Sequence, residues 1–125
     1  ILIPRAKVAR DVLPQTLRSW GATVNVVVAY QTVPARNNVE ALLQAFHERP
    51  VDLVAFTSSS SVTSLAELMS PRSLRELLQN VSIASIGPIT SQTLLGLGLK
   101  VAVEPSQFDV PSLVEVIRRH YEVPL

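Results

Sequence analysis

Apolar positions change their spacing along this chain in a regular alternation. Ile1-Leu2-Ile3 is short, apolar and largely β-branched, and Pro4 ends it, so it reads as a buried first strand. Val8, Val12, Leu17 and Trp20 then fall on one side of a helix that Gly21 stops. Pro14 belongs either in the first turn of a helix capped near Asp11 or at a kink in a longer one. Val24 to Tyr30 is the strongest strand signal. After a polar connector, Gln31 to Asn38, the residues Val39, Leu42, Leu43 and Phe46 repeat at i, i+3, i+4, i+7 behind Asn38 as the cap. Pro50 closes that helix and Val51 to Phe56 returns to a buried strand. Val62, Leu65, Ala66 and Met69 make the next apolar helix face. Ser70-Pro71 opens a short helix carrying Leu74, Leu77 and Leu78. Val81 to Ile86 is the fourth strand, and Gly87-Pro88-Ile89-Thr90 leads into a helix with Leu94 and Leu95 that Gly96 and Gly98 break. Leu99 to Val103 is the last strand. Asp109 and Pro111 start a final helix with Leu113, Val114, Ile117 and Tyr121 inward.

Five βα repeats of this kind predict an α/β, flavodoxin-like, doubly wound domain. Its five-stranded parallel sheet would carry helices on both faces and right-handed crossovers. In that architecture ligands bind outside the carboxyl ends of the strands. The residues at those ends are Pro4-Arg5, Tyr30, Thr57 to Ser61, Gly87 to Thr90 and Glu104 to Ser106.

The richest of these ends is Phe56-Thr57-Ser58-Ser59-Ser60-Ser61, where a strand hands over to a helix. Helix-start N–H groups lack intrahelical partners and the helix dipole favours anions there. Hydroxyls add donors without adding charge. The plainer alternative is that one serine caps the helix. Gly87-Pro88 is a second helix start at the same edge, or a plain turn with Pro at the first helical position. Tyr30 is the ionisable ring at this edge, or an amphipathic strand-end residue. Arg5, Lys7 and Arg10 could reach carboxylates, though each taken singly reads as a solvated helix-face charge. Together these features describe a site for a polyanionic small molecule, bound through backbone amides and hydroxyls.

Composition narrows the alternatives. A chain of 125 residues, 47% hydrophobic, is long and apolar enough for one folded domain. Its net charge of +1 argues against general nucleic-acid or membrane-surface binding. There is no cysteine, which fits a reducing compartment, and the expected location is the cytoplasm. His47 and His120 stand far apart, so no metal site is expected. No apolar run reaches about 18 residues, and no signal peptide is visible. No Asp ends the third strand as a phosphoacceptor, and no GxGxxG or P-loop occurs. Paired carboxylates for glycosidase chemistry and a base beside a serine nucleophile are also missing at the strand ends. The chain opens on Ile1 without an initiator Met, which reads as a piece of a longer polypeptide.

Five segments carry a resemblance. Ile3-Pro4-Arg5-Ala6, Arg10-Asp11-Val12-Leu13-Pro14, Val28-Ala29-Tyr30-Gln31-Thr32-Val33-Pro34, Phe56-Thr57-Ser58-Ser59-Ser60 and Ile86-Gly87-Pro88-Ile89-Thr90 resemble, in order and spacing, the second half of uroporphyrinogen-III synthases. The resemblance implies a lyase of tetrapyrrole synthesis. Such an enzyme takes the linear hydroxymethylbilane, removes water, inverts the last ring through a spiro intermediate and closes uroporphyrinogen III. It implies no cofactor and no metal, because the pyrroles supply the electrons. It implies Tyr30 as the group assisting hydroxyl loss. Arg5, Arg10, Thr57, Ser58, Ser59, Ser60, Gly87, Pro88, Ile89 and Thr90 would bind substrate. Ile89 stands where some members have Thr, so a hydroxyl is lost there and backbone donation is kept.

The resemblance also implies a two-lobed enzyme about twice this length, whose chain crosses between lobes. Residues 1–33 would belong to one lobe and 38–125 to the other, with 34–37 as linker and the first half of the enzyme as partner. Two arrangements follow for the chain alone. Residues 1–125 close on themselves as one unit, which the supply of five strands favours, or two copies exchange residues 1–33 as a homodimer. The isolated chain is expected to be inactive. The competing reading is a non-catalytic flavodoxin-like module that holds a sugar phosphate or another anion on the serine loop.

Overall fold

A computed structural model describes residues 1–122. The chain divides between Val33 and Pro34 into two compact units.

The first unit contains strand β1 (Leu2–Ala6), helix α1 (Val12–Ser19) and strand β2 (Asn25–Tyr30). The strands are parallel, with Leu2 opposite Asn25 and Arg5 opposite Val28. The register then slips, and Ala6 stands opposite Tyr30, so Ala29 is the extra residue of a bulge on β2. Asp11 occupies the N-cap position, and Pro14 is buried in the first turn rather than at a kink. Gly21 ends the helix at φ +87°, a conformation that a Cβ disfavours, and its N–H bonds the Arg18 carbonyl at 2.9 Å. The apolar side expected of this helix is not covered within the unit: Val8 precedes the helix and is 91% exposed, and Val12 and Trp20 are exposed too. Two strands and one helix offer too little surface to bury such a stripe.

The second unit opens with a 3-10 turn, Arg36–Asn38, followed by α2 (Val39–Glu48), β3 (Leu53–Phe56), α3 (Ser59–Met69), α4 (Pro71–Leu77), β4 (Ser82–Ser85), α5 (Pro88–Gly96) and α6 (Val110–Tyr121). Strands β3 and β4 pair in parallel, Leu53 opposite Ser82 through Phe56 opposite Ser85. Successive strand residues face opposite ways, and the core follows that rule. Phe56 and Ile83 join Val62, Ala66, Leu74 and Leu94 from α3, α4 and α5. Ala84, on the other face, joins Val103 and Leu113, with Val116 and Ile117 of α6 beside them. Ser70 caps α4 and Asp109 caps α6, each accepting from the backbone N–H three residues on.

The five-stranded sheet expected from the pattern is not formed. Among the described residues there are two separate two-stranded parallel sheets, β1–β2 and β3–β4, and a single bridge from Val103 to Ala84. Periodicity marks a segment as a strand but not its neighbour. The polar stretch after β2 turns into the 3-10 segment and leaves β2 paired with β1 alone. The expected strand at Leu99–Val103 shrinks for a local reason. The Leu99 N–H is spent on the Leu94 carbonyl at the end of α5, at 3.0 Å, and Pro105 has no N–H to extend the ladder.

On the exposed surface of α6, Arg118 and Arg119 both donate to Glu115, and they hold its carboxyl down to about 2 from an ordinary 4.5. A depressed carboxylate stabilises the fold above its unfolded value and loses that contribution as the pH falls from 4.5 toward 2. The melting temperature of Glu115→Gln should therefore trail the wild type at neutral pH and converge with it near pH 2. The gap should narrow in high salt because the pair is exposed. A pH-independent gap would discard this account.

Candidate functional site

In the first unit the bulge at Ala29 re-aims the end of β2, where Tyr30 is 63% exposed. The Tyr30 carbonyl accepts the Lys7 N–H at 2.8 Å. Arg5 is committed within its own unit: Nη2 lies 2.7 Å from the Asp11 carboxylate and Nη1 donates to the Arg10 carbonyl at 3.2 Å. Its Nε is buried without a partner among the described residues. Arg5 thus ties the turn before α1 back to β1, and Asp11 spends its charge on Arg5 rather than on capping the helix. Arg10 and Lys7 are exposed.

In the second unit the serine run does what a helix start needs. Ser58 is the N-cap of α3, and its Oγ accepts the Ser61 N–H at 3.2 Å. The Ser61 hydroxyl folds back on the Ser58 carbonyl at 2.7 Å. Ser60 Oγ lies 3.1 Å from Ser58 Oγ, and the two hydroxyls hydrogen-bond to each other. Ser59 is half-buried, and Thr57 and Ser60 are exposed. A groove of about 420 Å³ runs beside this loop, lined by Asn38, Val39, Leu42, Thr57, Ser61 and Leu65. Ser58→Ala should cost about 1 kcal/mol of stability through the lost cap. Urea denaturation would read it, and an unchanged midpoint would mean that the cap bond contributes nothing.

The neighbouring strand end carries the second turn. Gly87 is buried and N-caps α5. Ser85, fully buried, donates its hydroxyl to the Gly87 carbonyl at 3.0 Å and accepts the Gly87 N–H at 3.4 Å. A Cβ on Gly87 would sit 3.0 Å from the Phe108 ring, which explains why glycine fits here. Pro88 and Ile89 are exposed, whereas Thr90 is 3% exposed. Ser91, one residue further, donates its hydroxyl to the Glu104 carboxylate.

Strand register sets the order along this edge. Phe56 stands opposite Ser85 and Ala84 opposite Val103, so the serine loop, the Gly87-Pro88 turn and Glu104 follow one another at about 4.8 Å per strand. The turn's supports, Ser85, Ser91 and Phe108, escaped the reading of the sequence. Their signal was available only as position: each lies within four residues of a strand end already singled out. A second cavity of about 400 Å³ lies at the opposite edge of the sheet, lined by Arg75, Gly98, Leu99 and Lys100, away from these loops.

No helix among the described residues is long and apolar enough to cross a membrane. Comparison with known proteins gives a consistent result. The family described as uroporphyrinogen-III synthase HemD matches residues 1–115. The uroporphyrinogen-III synthase of Synechococcus elongatus is 34% identical over 127 aligned positions, covering 95% of this chain and 47% of its own length. That of Chlorobaculum parvum is 28% identical over 117 positions, covering 93% and 46%. The crystal structure of uroporphyrinogen III synthase from Thermus thermophilus superposes with a TM-score of 0.66 at 24% identity, over 94% of this chain and 48% of that one. The chain thus spans about half the length of the curated relatives it matches.

Proposed function

This chain belongs to the uroporphyrinogen-III synthase family, and on that footing we propose that it takes part in closing hydroxymethylbilane to uroporphyrinogen III. The family match through residues 1–115 carries the reading. The reaction is a loss of water with inversion of the last ring, an overall lyase chemistry that draws its electrons from the pyrroles. Tyr30 donates a proton or hydrogen bond to the departing hydroxyl; its exposed place after the β2 bulge supports that role. Thr57, Ser58, Ser59 and Ser60 receive acetate and propionate carboxylates at the start of α3. The Gly87-Pro88-Ile89-Thr90 turn adds backbone donors, with Thr90 contributing from a buried position. Arg10 is an exposed cation of the first unit's loop and takes a substrate carboxylate, while Arg5 acts with its Asp11 pairing in place.

In the same reading residues 1–33 serve one lobe and 38–125 the other, with 34–37 as the crossover. The division between Val33 and Pro34 supports it; positions 123–125 lie outside the described residues. The partner is the remaining half of the family's length, the chain alone is inactive, and the location is the cytoplasm. Exchange of residues 1–33 between two copies is the homomeric variant, and a tight dimer in sedimentation equilibrium is its signature.

The test is cyclisation of hydroxymethylbilane, scoring the III against the I isomer. This chain alone should give only the spontaneous I isomer. Addition of the other half in trans, or fusion to it, should give the III isomer. A full-length fusion that yields only the I isomer would overturn the proposal.

A further inference from the structure

We propose that Glu104 contacts the substrate directly: its carboxylate, oriented by Ser91, accepts a pyrrole N–H and steadies the cation left when the hydroxyl departs. This rests on the reading of the reaction given above. Glu104 follows Val103, the residue bridged to β4, and so stands at the carboxyl-end edge beside the Gly87-Pro88 turn. Ser91 is 8% exposed and donates to Oε2 of Glu104. Glu104 itself is exposed and has no ion-pair partner among the described residues. The nearby Asp109 is occupied in capping α6, with Oδ1 2.8 Å from the Ser112 N–H. One fixed, unpaired carboxylate is therefore left at an edge otherwise made of hydroxyls and amides.

Such a group repels the acetate and propionate side chains. What it attracts are the substrate's N–H donors. When the C–O bond breaks, both electrons go to oxygen, which takes a proton and leaves as water. The positive charge falls on the methylene carbon that bore the hydroxyl and spreads through the ring onto the pyrrole nitrogen, whose N–H becomes a stronger donor. A carboxylate at that N–H binds the transition state more tightly than the ground state, and the gain appears in kcat.

The experiment uses the polypeptide that forms the III isomer in the test above. Glu104→Gln keeps the shape and an acceptor for Ser91 but removes the charge. Its kcat should fall about 10²-fold with KM nearly unchanged, and its melting temperature should match the wild type. Glu104→Asp should recover part of the rate. Ser91→Ala, which loosens the carboxylate, should fall between wild type and Glu104→Gln. A wild-type kcat in Glu104→Gln would remove this role while leaving the proposed reaction intact. So would a rate loss matched by a fall in melting temperature. If the wild type gives only the I isomer, both proposals fail together.

Discussion

Leu94→Ala should lower the unfolding free energy by about 2–5 kcal/mol, the largest stability change expected of a single side chain here. Leu94 is fully buried in α5 and belongs to the cluster that joins Phe56 of β3, Val62 of α3, Leu74 of α4 and Ile83 of β4. Truncation removes the transfer free energy of its methyl groups. It also leaves a cavity that four elements would have to close together. The backbone adds to the expected cost, because the Leu94 carbonyl accepts both the Leu97 and the Leu99 N–H. A looser Leu94 therefore disturbs the end of α5 and the short approach to Val103. Urea denaturation should show a lower midpoint at constant slope. A midpoint equal to the wild type would mean that α5 does not anchor the second unit.

Tyr30→Phe should slow formation of the III isomer by about 10²-fold or more in the polypeptide that catalyses it, with the spontaneous I isomer filling the gap. The substitution removes one hydroxyl and keeps the ring. Tyr30 is exposed and its backbone bond to Lys7 involves no side-chain atom. Stability should stay within about 0.5 kcal/mol, so a lost rate would report chemistry rather than folding. A Phe variant with the wild-type rate would reduce Tyr30 to a residue that positions substrate.

These expectations rest on features of unequal legibility. The helices could be read because their determinants are local. Ser70-Pro71, Asp109 with Pro111, and Gly21 mark helix ends by backbone chemistry within three or four residues, and each does so in the structure. Pro14 was ambiguous in sequence because a first turn and a kink differ only in where the cap lies; Asp11 at the N-cap settles it. Strand pairing is different. Nothing in Val24 to Tyr30 or in Val51 to Phe56 names a neighbour, since ladder bonds are made by backbone groups that every residue carries. The apolar pattern therefore supported one five-stranded sheet where two small ones form.

The candidate site divides in the same way. The serine loop was visible because four serines in a row are unusual chemistry, and its capping role follows from adjacency. Glu104 stands at a strand end as a lone carboxylate, which a pattern of paired acids does not mark. Its partner is a serine thirteen positions away, and no local pattern announces that contact.

The extra residue in β2 has a consequence for anyone shortening or grafting this strand. A ladder has parity, because facing inverts with every residue added or removed and returns with every second one. Ala29 is the odd member. Excising it would straighten the strand and still leave Tyr30 opposite Ala6, on the face that Ala6 takes, with composition almost unchanged. Removing one residue upstream is absorbed by flattening the bulge, whereas removing two exceeds its slack and shifts Tyr30 out of its place opposite Ala6. The bulge is thus one residue of slack in the ladder, and a library of deletions across Asn25 to Ala29 should tolerate the loss of one residue and reject the loss of two.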